Sequence, residues 1–257
     1  MALRYIVRIN PDYERLRPLI EGIARGEVPP DAVNIYEGRN TLYTTRLGDV
    51  QAVVKVFKRP NFINSYVYTT LRSSKGKRSF LNALELKRLG FLTPDPIACI
   101  EVRRGLKLVG CQYVCRELSG ASEMRHWENF PDADTLLPAF AREMLRLHQA
   151  GVWNKDFSPG NILYKGDSAS GYEFYYVDLN RMEFGVHDSK KLMRMFRAIN
   201  LNSGETARLG RLYAEAAGTD PEDMEKEALR QLDGYFATQR RKNFFKRLVG
   251  KKPGKHL

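Results

Sequence analysis

Residues 148–163, HQAGVWNKDFSPGNIL, and residues 172–181, YEFYYVDLNR, decide how this chain folds. The first stretch ends an apolar helical run at Leu147 and His148, stops it at Gly151, and opens a loop in which Asp156 and Asn161 form the pattern DxxxxN. Ser158, Pro159 and Gly160 bend that loop sharply. A strand from Ile162 to Tyr164 follows, then the polar turn GDSASG at 166–171, then a second strand that delivers Asp178. Turn chemistry by itself explains Asp156 and Asn161 as turn formers and Asp178 as a strand end. It does not explain the order of helix, loop, strand, turn and strand around them. Two carboxylates and a neutral amide oxygen are hard ligands, the kind that magnesium prefers.

This spacing is the one by which kinase-like phosphotransferases hold a nucleophile and a metal. Phosphoryl transfer asks little covalent chemistry of a protein and much positioning and charge neutralisation. One carboxylate orients the attacking hydroxyl, while the other, with the amide, coordinates the metal that bridges the nucleotide phosphates. The upstream half contains the other parts such a site needs. Leu42 to Leu47 and Val50 to Phe57 read as strands joined at Gly48 and Asp49, a tight-hairpin context. Lys55 lies in AVVKVF (52–57), alternating with Val54 and Val56, where its ammonium can reach the α and β phosphates. A lone strand lysine is otherwise a solvated edge charge.

IYEGRNTLY (35–43) occupies the place of a phosphate-covering loop and holds one glycine, Gly38, with Arg39 and Asn40 as side-chain donors; a plain hairpin loop fits equally well. Arg78 to Leu89 has a helical apolar period that stops at Gly90. Its one acid, Glu85, is the candidate to orient Lys55, against the alternative of an ordinary surface charge. After TPDPIA (93–98), strands run through Ala98 to Val102 and Leu106 to Arg116 and break at Ser119 and Gly120. Adenine is expected on the backbone near Arg116, Glu117 and Leu118, because an exposed sheet edge has spare amides and carbonyls.

From about Ile35 to Arg181 the chain resembles the protein-kinase-like superfamily. Within it, GVWNKDFSPGNIL, VDLNR and AVVKVFK look like the lipopolysaccharide kinases that phosphorylate the Kdo or heptose sugars of the inner core. The resemblance implies an α+β, bilobal protein-kinase-like fold: a small antiparallel-sheet N-lobe over residues 1–117, a mainly helical C-lobe over 118–235, and a basic amphipathic tail over 236–257. It also implies ATP and Mg2+ as cofactors. Asp156 is then the catalytic aspartate, Asn161 and Asp178 are metal ligands, and Lys55 is the phosphate-binding lysine, with Gly38 and Glu117 beside the nucleotide. Two positions depart from the pattern. Asn154 stands where a histidine usually braces the loop, and Asn180 stands where a glycine usually follows the metal aspartate. Arg181 can pair with Asp156 or a substrate phosphate, or with a surface neighbour. Two rival readings stay open: a compact atypical Ser/Thr kinase, and a catalytically degraded pseudokinase that binds nucleotide or RNA.

The acceptor is expected to be small or glycosidic. The helical run SKKLMRMFRAIN (189–200) follows Asp178 closely, and no APE sequence anchors a peptide-binding segment. With 42 Lys plus Arg against 30 Asp plus Glu, the net charge of +12 favours an anionic partner, whether glycolipid, membrane surface or nucleic acid. One basic cluster, FKRPNFINSYVYTTLRSSKGKR (57–78), lies between Lys55 and the next helix. The other is the tail ATQRRKNFFKRLVGKKPGKHL (237–257), which reads as an interfacial helix on an anionic leaflet, a frayed tail or an RNA contact. No run approaches the roughly 18 apolar residues of a membrane span, and MALRYIVRINPDYERL (1–16) lacks a signal-peptide pattern, so a cytoplasmic or inner-face peripheral location is expected. A short amphipathic helix through Leu16, Leu19, Ile20 and Ile23 follows a first strand. Cys99, Cys111 and Cys115 read as reduced strand residues, and His148 as a packed support rather than a base.

Overall fold

The computed structural model describes residues 2–59, 73–199 and 201–248. Phe62, Tyr66, Tyr68 and Arg72 of the first basic cluster and residues 249–257 of the tail lie outside the described residues. In chain order the strands are β1 (Leu3–Ile9), β2 (Val33–Glu37), β3 (Thr41–Leu47), β4 (Val50–Phe57), β5 (Pro96–Arg104), β6 (Lys107–Arg116), β7 (Ser122–Glu123), β8 (Trp153–Asn154), β9 (Ile162–Asp167), β10 (Gly171–Tyr176) and β11 (Met182–Glu183). The helices are α1 (Arg17–Arg25), α2 (Lys75–Arg88), α3 (Ala133–Gln149), α4 (Ser189–Met193), α5 (Met195–Ala198), α6 (Ser203–Ala217) and α7 (Pro221–Leu248). Two compact units result. One joins residues 1–121 to the segment Tyr175–Arg181; the other comprises Ser122–Phe174 and Met182–Leu257.

The first unit is built on a six-stranded antiparallel sheet in the order β1-β5-β6-β4-β3-β2. On one face, Ala52 and Val54 of β4 join Ile20 and Ile23 of α1, Leu47, Ile97, Ile100 and Val114 in a single apolar cluster. Because side chains alternate along a strand, Lys55 projects to the opposite face. The turn Gly48–Asp49 closes the β3–β4 hairpin; Gly48 takes φ 62° and Asp49 receives the Arg15 guanidinium through both carboxylate oxygens, at 2.9 and 3.1 Å.

Helix α2 begins three residues before the apolar period does, because Ser74 caps it: Ser74 Oγ accepts the Lys77 N–H at 3.1 Å. Phe80, Ala83 and Leu86 form its buried face, Lys87 and Arg88 complement the dipole in its last turn, and Gly90, at φ 81°, follows its end. Near its start, a Cβ on Gly76 would lie 2.5 Å from the Gln112 carbonyl oxygen, so helix backbone meets strand β6 with no side chain between them. All three cysteines are free thiols on β5 and β6. Burial pushes Cys99 up to about 11 and Cys115 up to about 12, which keeps both as unreactive thiols.

In the second unit, α3 buries Leu136, Leu137, Phe140, Met144 and Leu147 and packs against α6. An Asn202–Glu205 capping box starts α6, Gly218 at φ 65° ends it, and a Cβ on Gly210 would lie 3.0 Å from the Ala228 Cβ, so the glycine lets α7 pack close. The predicted run at 189–200 divides into α4 and α5 at Arg194, where tight i to i+3 bonds from the Arg194 and Arg197 amides interrupt the α pattern. The segment from residue 236 continues α7 without a break as far as Leu248, so its described part is the end of a 28-residue helix. No described helix is long and apolar enough to cross a membrane.

His148, at the end of α3, is 7% exposed; its Nδ1 lies 2.9 Å from the Tyr213 hydroxyl, and its Nε2 has no partner among the described residues. Burial lowers its pKa from 6.5 to about 4. The folded state therefore keeps the ring neutral where the unfolded chain protonates it. Unfolding takes up a proton between those two values, so stability falls as the pH drops from 6.5 towards 4, by about 2 kcal/mol between pH 7 and pH 5. Denaturant titrations at those two pH values measure this, and His148→Gln is expected to remove most of the difference.

Candidate active site

Lys55 on β4 and Asp178, just past β10, come together in the first unit. Lys55 Nζ lies 2.7 Å from Asp178 Oδ1, with side chains 15% and 29% exposed. A partly buried pair of this kind holds its geometry only if other bonds fix both partners. Asp178 is fixed from both sides in sequence. Upstream, the Tyr176 N–H donates to Leu92 O at 3.1 Å, and Thr93 Oγ1 donates to Tyr176 O at 2.7 Å. Downstream, Asn180 Nδ2 donates to Asp178 Oδ1 at 2.7 Å. Asp178 is the one non-glycine residue at positive φ (56°) among the described residues. A left-handed aspartate is strained, and such strain persists where the surroundings over-determine it.

The helix expected to orient Lys55 with a carboxylate uses other groups. Glu85 faces Arg88 in a bidentate i to i+3 pair at 2.7 and 2.8 Å, and that guanidinium holds its carboxyl below the usual range; the carboxylate beside Lys55 is Asp178. The side chains of α2 that reach the Asp178 segment are Arg78, whose Nε donates to Asn180 O at 2.8 Å, and Asn82, whose Nδ2 donates to Leu179 O at 2.7 Å. Lys75, at the start of α2, also turns inward. Its ammonium lies 6.0 Å from the centre of the Phe57 ring, which Lys55 approaches to 5.5 Å, and burial followed by the nearby Arg39 lowers its pKa.

The nucleotide-side expectations are refined at two further places. Gly38 is exposed beyond β2, and the Tyr36 ring folds so close that a Cβ there would lie 2.6 Å from its hydroxyl. At the end of β6, the Arg116 N–H donates to Asp95 O at 2.8 Å and the Glu117 N–H donates to Gln51 O at 2.9 Å. Those two amides are committed within the unit.

Asp156 and Asn161 come together in the second unit. Asn154 is 2% exposed and pairs with Met182 in the β8–β11 ladder. Its Oδ1 accepts the Asp156 N–H at 3.0 Å, which is the bracing role an imidazole would otherwise fill. The Asp156 carbonyl accepts both the Ser158 N–H and Asn161 Nδ2, each at 2.8 Å. Phe157, fully buried, stacks on Phe140 of α3 with ring centres 5.9 Å apart and so pins the loop to the core. The Arg125 guanidinium lies over Gly160, where a Cβ would meet it. Arg181 is exposed at the end of a 3-10 turn that begins at Leu179.

Both halves suit a magnesium nucleotide by the chemistry of their donors. Among the described residues Asp178 is bonded through Oδ1, by Lys55 and Asn180, which leaves acceptor capacity on the second carboxylate oxygen. Asn161 spends its amide N–H on the loop, which presents the amide oxygen as a neutral ligand.

Residues 27–213 match the model of the Lipopolysaccharide kinase (Kdo/WaaP) family. The chain belongs to that family. Among curated proteins no sequence matches it significantly. Among solved structures, WaaP in complex with acyl carrier protein is similar with a TM-score of 0.59 and 16% identity, over 92% of this chain and 97% of that one. The Rio2 kinase from Chaetomium thermophilum, in an ADP/Mg2+-phosphoaspartate complex, aligns with a TM-score of 0.46 and 19% identity over 86% of this chain and 75% of that one. Glucosamine kinase in complex with glucosamine, ADP and inorganic phosphate aligns at 0.41 and 13% over 92% and 68%. The fold of this Kdo/WaaP-family chain is protein-kinase-like, with a six-stranded antiparallel sheet in one unit and a mainly helical second unit. The protein is a kinase, a phosphotransferase with an alcohol group as acceptor.

Proposed function

We propose that this Kdo/WaaP-family kinase transfers the γ-phosphate of ATP to a sugar hydroxyl, of Kdo or heptose, in the inner core or lipid A precursor of lipopolysaccharide. The observation that carries the proposal is the match of residues 27–213 to that family, together with the 2.7 Å pair of Lys55 with Asp178. In this reading Asp156 orients the acceptor hydroxyl and accepts its proton. The acceptor oxygen bonds to the γ-phosphorus as the bond to the bridging oxygen of ADP breaks. Lys55 neutralises the α and β phosphates, and Gly38 and the Glu117 carbonyl lie along the nucleotide. Asn161 and Asp178 would hold a magnesium ion, which would supply charge neutralisation at the phosphates.

The lipid linkage of the acceptor and the basic balance of the chain, +12 overall, support work at an anionic membrane surface from the cytoplasmic side. Mass spectrometry of core glycolipids from cells lacking the protein is expected to show loss of one phosphate, restored by the wild-type gene and not by an Asp156→Asn copy. Incubation of the purified protein with labelled ATP, a lipid extract and a generic protein substrate provides the counter-test. A labelled protein band beside unlabelled lipid would falsify the glycolipid acceptor.

A further inference from the structure

In the first unit, Asp178 is held in a conformation that its own backbone disfavours, and two side chains of α2 grip the backbone immediately after it. The Arg78 and Asn82 side chains lie one helical turn apart, on the same face of α2. They donate to the consecutive carbonyls of Asn180 and Leu179, at 2.8 and 2.7 Å, about a hundred residues away in sequence. Arg78 also donates to Ser73 O at 2.6 Å, which ties the start of the helix to the same grip. Leu179 and Asn180 are themselves buried, so their carbonyls are donor-hungry groups away from water, and losing a donor there costs more than losing one at the surface. Asn180 in turn holds the Asp178 carboxylate at 2.7 Å, and Lys55 meets the same oxygen. The helix thus reaches the carboxylate through two backbone carbonyls and one amide side chain, while Glu85 is committed to Arg88.

We propose that Arg78 and Asn82 are positioning residues for Asp178: from α2 they fix the turn after it, so that its carboxylate stays both paired with Lys55 and presented to the metal nucleotide. They act through the backbone of the turn that follows it. This inference rests on Asp178 being a metal ligand, and its test separates the two claims.

The affinity of the full chain for ADP, measured by calorimetry across a magnesium titration, is the readout; it needs neither turnover nor an acceptor. Asn82→Asp keeps the side-chain size and replaces the donor with an acceptor. It is expected to raise the magnesium concentration giving half-maximal ADP affinity by about tenfold, while leaving metal-free ADP affinity unchanged. Arg78→Lys, which retains charge but cannot serve both carbonyls with a planar fork, is expected to shift it in the same direction by less. Glu85→Gln is expected to titrate like wild type. Melting of each apo variant checks folding, and if Asn82→Asp does not fold, Arg78→Lys decides the matter. Wild-type magnesium dependence in the folded Asn82 and Arg78 variants, or a shift produced by Glu85→Gln instead, overturns the positioning role. A wild-type chain whose ADP affinity ignores magnesium removes Asp178 as a ligand, and the inference with it.

Discussion

Asp156→Asn is expected to lower the phosphotransfer rate by about a thousandfold, with ADP affinity close to wild type. The loop is tied through the backbone of Asp156. Its N–H is held by Asn154 Oδ1 at 3.0 Å, and its carbonyl by Asn161 Nδ2 at 2.8 Å. Neither bond involves the carboxylate. Phe157 stays buried against Phe140 whatever residue 156 carries. On the proposed reading, the change exchanges a charged acceptor for a neutral amide and removes the group that would receive the hydroxyl proton. Single-turnover rates with ATP and a core glycolipid, beside equilibrium ADP binding, separate the two quantities. Equal loss of binding and rate would place Asp156 in nucleotide affinity, and an undiminished rate would remove it from the chemistry.

Lys55→Met is the second large effect. On the proposed reading, removing the ammonium takes a cation from the phosphates; it also leaves the Asp178 carboxylate, 29% exposed, with Asn180 but without the lysine at 2.7 Å. The KM for ATP is expected to rise about tenfold and kcat to fall about a hundredfold. Lys55→Arg is expected to rescue little, since a planar fork cannot replace a compact ammonium facing one carboxylate oxygen. Lys55→Met combined with Asp178→Asn should be no worse than the poorer single variant, because residues acting as one unit lose their effects together. Additive losses would mean that the pair does not operate jointly.

The short-range parts of this architecture were readable in advance wherever local chemistry enforces them. The β3–β4 hairpin follows from alternation closed by Gly48 and Asp49, and β9, its turn and β10 follow from the strand run around GDSASG. Strand β2 escaped notice because a register shift between Asn34 and Tyr36 breaks the two-residue period on which recognition depends. Most of α7 went unread because its charged residues are spread around the helix and give no apolar stripe to follow. Among the candidate residues, Asp156, Asn161 and Asp178 are conspicuous by spacing. Arg78 and Asn82 were not, because their partners are main-chain carbonyls, which any residue supplies and no pattern marks. The same applies to the Arg116 and Glu117 amides: their commitment to Asp95 and Gln51 is decided by tertiary packing. Glu85 had the right charge on the right helix, but Arg88, one turn on, is a nearer partner than anything across the unit.

Among the described residues the large sheet ends in two open rims, β1 and β2, and they are defended against self-association in different ways. Along β1, Leu3 and Tyr5 are exposed, but Arg4 stands between them, so two copies brought rim to rim would set guanidinium against guanidinium, while Arg8 is paired with Glu101 at 3.2 Å. Along β2, Val33, Ile35 and Tyr36 are exposed beside the acid Glu37, and the shifted register kinks the template that an incoming strand would need to copy. Salt weakens the first defence and leaves the second intact, so concentrated stocks of this protein should tolerate moderate ionic strength and begin to cluster through the β1 rim when the arginines are screened.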